Sequence, residues 1–161
     1  MDNPRRASLA VAGAMAVALA VPIVAQFEGR RLQPYRDLVG KLTWCDGETR
    51  GVARALYTPA ECDAITAQAV GDFEAAIRPC LPGALPVQVR AAFIVAAYNI
   101  GADAFCGSSM ARRAKAGDLR GACDALVFWD KATIDGVRVK VRGLTLRRAA
   151  ERAICLEGLE G

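Results

Sequence analysis

The sequence predicts a mainly helical α+β fold, with a small β-rich lobe from about Tyr35 to Arg50 joined to a larger helical lobe. Three observations carry that expectation. A strand-prone run punctuated by Gly40, Gly47 and Gly51 follows an apolar N-terminal stretch. Thr58-Pro59-Ala60-Glu61 has the chemistry of a helix start: an N-cap threonine, a proline in the first turn and a glutamate completing a capping box. Val87 to Ile100 is apolar on nearly all sides, as a buried central helix would be.

The elements follow in order. Met1 to Arg6 is short and polar and carries Arg5 and Arg6, whereas Ala7 to Phe27 has no charge. That is roughly the ~20 residues a bilayer-spanning helix requires. Its eight alanines, one glycine and Pro22 make the apolarity weak, so it should enter a membrane and be held there loosely. Basic residues before it predict a cytoplasmic N-terminus, with everything after Glu28 outside. A cleavable signal peptide is one reading, since Ala18-Leu19-Ala20 forms an A-x-A site. A permanent anchor is another.

Past the strand-prone run, Cys62, Ile65, Ala69, Phe73, Ala76 and Ile77 recur at helical spacing and read as core. Pro79, Pro82, Gly83 and Pro86 make a loop, and Gly101 ends the central helix. Ser108 or Ser109 caps a short helix through Ala116, with Arg112, Arg113 and Lys115 on a solvated face and Gly117 as its stop. Asp118 or Leu119 opens the next, with Cys123, Leu126, Val127 and Trp129 inward. Asp135-Gly136 between β-branched residues suits a small hairpin. Thr145 is the expected cap of the last helix, with Ala149, Ala153 and Ile154 inward and Cys155 near its end.

Composition limits the partners. At 161 residues the chain is one domain by length. A net charge of +4 and a pI near 8.9 suit an acidic wall or membrane surface. Nucleic acid is not expected, because no stacking aromatics interleave with the basic residues. There is no histidine, so a typical zinc site is not expected, nor is any cofactor. Six cysteines without a CxxC pair point to an oxidising compartment and three disulfides. Six cysteines allow 15 connectivities; the expected one joins neighbouring elements, Cys45 with Cys62, Cys80 with Cys106 and Cys123 with Cys155, with buried free thiols as the alternative.

The chemistry concentrates between Phe27 and Gly51. Glycosidic bond cleavage commonly uses one carboxylic acid to protonate the leaving oxygen and a second carboxylate to position water or act as nucleophile. Glu28 ends an apolar segment, a setting that suits a proton donor. Asp37, between Arg36 and a turn closed by Gly40, suits the ionised partner, and the Thr43 hydroxyl can orient a water from that side.

The whole string resembles the catalytic segment of phage-type lysozymes, glycoside hydrolase family twenty-four: Glu28-Gly29, Tyr35-Arg36-Asp37, Gly40, Thr43, Cys45 and Gly47-Glu48-Thr49. Ala97-Tyr98-Asn99-Ile100-Gly101, Ala116-Gly117-Asp118, Gly121-Ala122-Cys123-Asp124 and Gly143-Leu144 with Arg147-Arg148 extend the resemblance to about Gly158. It implies a lysozyme-like fold with a cleft between the lobes and a catalytic triad of Glu28, Asp37 and Thr43. Asn99 is then a cleft or cap residue, and Arg147 the arginine that pairs with the catalytic glutamate, an exposed helix cation being the alternative. One departure is Glu48, where the family often carries histidine.

An apolar segment rich in Ala and Gly that abuts the catalytic glutamate is similar to the secretory endolysins of phages infecting Gram-negative bacteria. The resemblance implies residues 1–27 as a signal-arrest-release (SAR) segment and 28–161 as the catalytic domain. It implies a monomeric muramidase held first at the host inner membrane, then soluble in the periplasm. Its partners would be peptidoglycan, the inner membrane before release, and a phage holin acting indirectly. A lytic transglycosylase using Glu28 alone and a silent wall-binding protein are the alternatives.

Overall fold

The computed structural model describes residues 4–37 and 40–161. Met1 to Asn3, part of the polar start behind the expected orientation, lie outside the described residues, as do Leu38 and Val39.

The apolar N-terminal stretch forms one helix, α1 (Pro4–Glu28), unbroken through Phe27 into Glu28. It packs on α2 (Pro59–Ile77) and α3 (Val87–Ile100) through a narrow stripe of small residues. Ala16, Ala20 and Val24 are fully buried there, at the i, i+4, i+8 spacing of one helix face. Gly13 continues the stripe, where an added Cβ would lie 3.3 Å from Glu74 Oε1. Pro22 sits on the exposed side, where the carbonyl it cannot bond reaches solvent.

The β-lobe is an antiparallel pair, β1 (Arg31–Arg36) and β2 (Leu42–Cys45), with Tyr35 opposite Thr43 and Arg36 opposite Leu42. Its strands begin at Arg31, earlier than Tyr35, and its far end is the Trp44–Glu48 bridge. The register is irregular between Arg31 and Tyr35, a span that contains Pro34, which has no N–H to donate. A small core of Trp44, Cys45, Tyr57 and Cys62 holds the lobe, and the Cys45–Cys62 disulfide ties it to α2. Buried Asp46 makes a second tie. It accepts from Arg30 Nε at 3.1 Å and from Thr66 Oγ1 of α2 at 2.5 Å, and its carbonyl accepts from Tyr98 of α3 at 2.7 Å.

Thr58 and Glu61 form the expected capping box at the start of α2. The inward face differs from the expected one: Cys62, Thr66, Ala69, Val70, Glu74 and Ile77 are buried, Ile65 and Phe73 are half-buried and Ala76 is exposed. Polar residues enter because each has a partner, Thr66 on Asp46 and Glu74 on Arg90 Nη1 at 3.0 Å. Helix α3 is buried continuously from Val89 to Ala97 and is the centre around which α1, α2 and the C-terminal helix pack.

Short helices α4 (Ala102–Cys106), α5 (Ser109–Lys115) and α6 (Leu119–Asp124) follow, with Ser108 and Asp118 as side-chain N-caps of the last two. The chain then tightens into a 3₁₀ turn, Ala125–Phe128. That turn buries Leu126 but rotates Val127 out to 39 % exposure, correcting the expectation that Val127 points inward. Strands β3 (Lys131–Ile134) and β4 (Val137–Lys140) form the hairpin, turning at Asp135 (φ 49°) and Gly136 (φ 80°). Positive φ at both positions is what a two-residue hairpin turn requires.

The last helix, α7 (Arg142–Glu157), starts a turn before Thr145. Thr145 is therefore not its cap; its hydroxyl bonds Asp130 and the Val141 carbonyl, each at 3.2 Å. The expected inward set also fails: Ala149 and Ala153 are exposed and Ile154 is half-buried, while Arg147, Arg148, Glu151 and Cys155 are buried. Ion pairs and a disulfide, rather than alanine packing, orient this helix. All six cysteines are paired, Cys45–Cys62, Cys80–Cys106 and Cys123–Cys155, as neighbouring-element pairing predicts.

Candidate active site

Glu28 ends α1, and the buried stripe Ala16, Ala20, Val24 fixes which way that end points. Its Oε1 accepts from Arg147 Nη1 at 2.5 Å, an ion pair between a glutamate 22 % exposed and an arginine only 6 % exposed. The arginine thus lies behind the carboxylate, which keeps a path to solvent. Arg147 is itself held three further ways. Nε donates to Glu151 Oε1 at 3.1 Å, Nη2 donates to the Val95 carbonyl at 3.3 Å, and the guanidinium lies 5.1 Å from the Phe27 ring centre. The exposed-cation alternative for Arg147 is thereby overturned.

Behind this pair lies a second. Arg148 Nη2 donates to Glu151 Oε1 at 2.7 Å and to Asn99 Oδ1 at 3.2 Å, which ties the end of α3 to the network. Asn99 is itself exposed. Burial pushes the Glu151 carboxyl up to about 7, with Arg148 and Arg147 pulling the other way and Glu28 adding to the rise. Burial likewise depresses Arg148.

Asp37 and Thr43 come together at the β1–β2 turn through Lys41. The Lys41 N–H donates to Asp37 Oδ1 at 2.8 Å, and its carbonyl accepts from the Asp37 N–H at 3.0 Å and from the Thr43 hydroxyl at 3.1 Å. With its proton committed to Lys41, Thr43 presents its oxygen as an acceptor. Thr43 is 4 % exposed, so its rotamer is set by packing as well.

Against Glu28 runs the turn at Gly47 of the β-lobe, with φ 91°. A Cβ there would stand 3.4 Å from Glu28 Oε2, so this turn brings the β-lobe against the second oxygen of the carboxylate. A recess of about 220 Å³ opens beside it, lined by Gly47, Glu48, Arg50, Phe73 and Tyr98 among others. Burial pushes the Tyr98 phenol up, and the negative charges of Glu28, Glu48 and Asp46 push the same way. Its hydroxyl therefore stays a donor, bonded to the Asp46 carbonyl.

Glu48 is engaged elsewhere. It accepts from the Thr49 and Arg50 N–H groups at 2.8 and 2.7 Å and from the Arg50 guanidinium, which also reaches Asp72 of α2 at 2.8 Å. Burial works to raise its pKa, but the Arg50 side chain and both N–H groups outweigh it and hold Glu48 below the ordinary carboxylate range. A Glu48–Arg50–Asp72 bridge between β-lobe and α2 thus occupies the position where the histidine is often found. Among the described residues no group of three or more His, Cys, Asp or Glu could hold a metal ion.

The sequence reading passed over Arg148, Glu151 and the Asp46–Tyr98 tie. For the first two a signal existed: Arg147, Arg148 and Glu151 stand at the i, i+3 and i, i+4 spacing that lets helix side chains pair. Asp46 and Tyr98 are too far apart in sequence for any such pattern.

Comparisons with known proteins bear on the family and the fold. The sequence profile of the phage lysozyme family matches residues 25–151. The SAR-endolysin of Bacteriophage PS119 is 38 % identical over 133 residues, covering 81 % of this chain and 77 % of that protein. The SAR-endolysin of Enterobacteria phage P21 is 35 % identical over 162 residues, covering 96 % of both. Among solved structures, the active form of the P1 phage endolysin Lyz superposes with a TM-score of 0.75 at 26 % identity, covering 94 % of each chain. With the family profile spanning most of its length, the chain belongs to the phage lysozyme family.

Proposed function

We propose that this peptidoglycan-lytic enzyme is a muramidase endolysin that hydrolyses the β-1,4 bond between N-acetylmuramic acid and N-acetylglucosamine. The observation that carries the reading is the carboxyl of Glu28, backed by buried Arg147 and brought against the β-lobe that holds Asp37 and Thr43. In this reading Glu28 protonates the leaving oxygen. Asp37, locked to Lys41, receives or orients the attacking water together with Thr43, and needs no cofactor to do so. Glu48 and Asn99 support from a distance, the first by tying the β-lobe to α2, the second by holding Arg148.

Helix α1 gives the enzyme two states. Ser8–Glu28 is long and apolar enough to cross a membrane, and of its most apolar window only 22 % is buried in the docked form. Leu9, Val11 and Met15 remain exposed, an apolar outer face without charge that a bilayer would cover. In the host inner membrane, with the N-terminus cytoplasmic, α1 cannot lay Ala16, Ala20 and Val24 on α3, and Glu28 cannot reach Arg147. Release into the periplasm allows both. The likeness to the active form of the P1 phage endolysin Lyz, over 94 % of the chain, supports reading the docked helix as the released state.

The test is lysis of outer-membrane-permeabilised Gram-negative cells, followed by turbidity, with membrane-bound and released fractions assayed separately. Wild type should lyse only from the released fraction, and Glu28→Gln should lose at least about 10³-fold, the scale of removing a general acid. Equal activity of the two fractions would overturn the membrane-control part alone.

A further inference from the structure

We propose that Glu151 is the positioning residue of this site, aiming Arg147 at Glu28 and offsetting its charge so that Glu28 holds a proton to donate. The inference rests on the reading of Glu28 as the general acid. It begins with how Arg147 is fixed. A guanidinium on a flexible stem points at one oxygen only if its other donors are taken. Here Nη2 is taken by the Val95 carbonyl and Nε by Glu151 Oε1, which leaves Nη1 for Glu28. The Val95 contact, at 3.3 Å to a neutral carbonyl, is the weaker of the two. Glu151 is therefore the strut.

The charges give the second half of the argument. Arg147, 6 % exposed, sets a positive charge against the carboxyl that must donate the proton. Glu151, fully buried and bonded through one oxygen to both Arg147 Nε and Arg148 Nη2, returns negative charge to the far side of the same guanidinium as pH rises past about 7. The groups facing it are few. Among the described residues, the charges acting on it are Arg148 and Arg147 of α7 and Glu28 of α1; from α3 the neutral Asn99 amide and Val95 carbonyl hold the same two guanidiniums. Asp124 of α6 is occupied at the surface by Arg152, at 2.6 Å. Among the described residues, Glu151 Oε2, Arg148 Nε and Arg148 Nη1 are buried without a protein hydrogen-bond partner. Glu28 and Glu151 thus hold opposite sides of one guanidinium.

The test is the pH profile of kcat/KM on purified peptidoglycan for the full chain and its Glu151→Gln and Glu151→Asp variants. Glu28 must be protonated to act, so the alkaline limb reports its loss of the proton. In Glu151→Gln, Arg147 acts on Glu28 unopposed, and the limb should move to lower pH by about one unit, with activity on the acid side largely kept. Glu151→Asp, which restores the charge, should return the limb toward wild type. A Glu151→Gln profile that scales down uniformly without moving would overturn the inference. Should the variants fail to fold, wild-type protein with ¹³C-labelled glutamate decides: the two carboxyl signals should each show the other's inflection, and independent titrations would overturn the proposal. Loss of lysis in Glu28→Gln with an unmoved Glu151→Gln limb sinks this inference alone, whereas lysis retained in Glu28→Gln sinks the reading beneath it.

Discussion

The carboxyl of Glu28 touches two different things, an arginine through one oxygen and a glycine turn through the other. Gly47 is needed at that turn for two reasons. Its φ of 91° is a conformation that a side chain resists, and the space beside its Cα belongs to Glu28 Oε2. Gly47→Ala should cost about 1–2 kcal/mol of stability from the backbone alone. At 3.4 Å the new methyl is in ordinary contact with the carboxylate, so turnover should fall by several-fold rather than vanish. Urea melts and turnover measured together check this; unchanged stability would mean that the turn relaxes. The pairing of Arg147 with Glu28, 119 residues apart, came from the family signature, whereas Glu151 was passed over. Glutamate on a terminal helix reads as a solvated residue unless the two arginines before it are taken as its partners.

At the scale of elements, what carried a local chemical rule was legible. The capping box at Thr58, the hairpin at Asp135-Gly136 and the glycine stop at Gly101 follow from neighbouring residues, the three disulfides match the joining of neighbouring elements, and all are present. What depended on helix rotation was not. On α2 and α7 the buried face is decided by Thr66, Glu74, Arg147, Arg148 and Glu151, polar residues that enter because a partner waits for them, on another element for the first four and on α7 itself for Glu151. Helix α1 shows the same limit, because an alanine-rich segment has no polar face to reveal which stripe docks. The structure supplies the stripe, and with it a paired prediction. Ala18→Leu and Ala20→Leu add equal apolarity to a membrane span, yet position 18 is exposed and position 20 fully buried against the core. Overpacking should cost Ala20→Leu about 1–3 kcal/mol in the released protein, while Ala18→Leu stays near wild type. Equal urea midpoints for the two would place α1 away from the core in solution.

Over the whole molecule, covalent ties and titrating carboxylates act together. Each disulfide joins helical-lobe elements or lobe to lobe, with sequence separations of 17, 26 and 32. Loops of that length are worth about 3–4 kcal/mol each on the chain-entropy account, enough that reduction should leave little folded protein. The pH dependence is subtler, because the carboxylates pull in opposite directions. Glu48 and Glu74 are held below the ordinary value of 4.5 by Arg50 and by Arg78 with Arg90, against the opposing push of burial. Their stabilisation is present above that pH and is lost as pH falls through their folded values. Glu151 runs the other way. Burial raises it from 4.5 to about 7, so the folded protein binds its proton more tightly than the unfolded chain does, and stability falls as pH rises across that window. Glutamine at position 151 is a near-isostere of the protonated acid and has nothing to lose over the same interval. Relative to wild type, Glu151→Gln should therefore gain stability progressively between pH 4.5 and about 7, by on the order of a few kcal/mol, and level off above. Denaturant unfolding of both proteins at a series of pH values measures it; a difference that stays flat through the window would mean that Glu151 is ionised throughout.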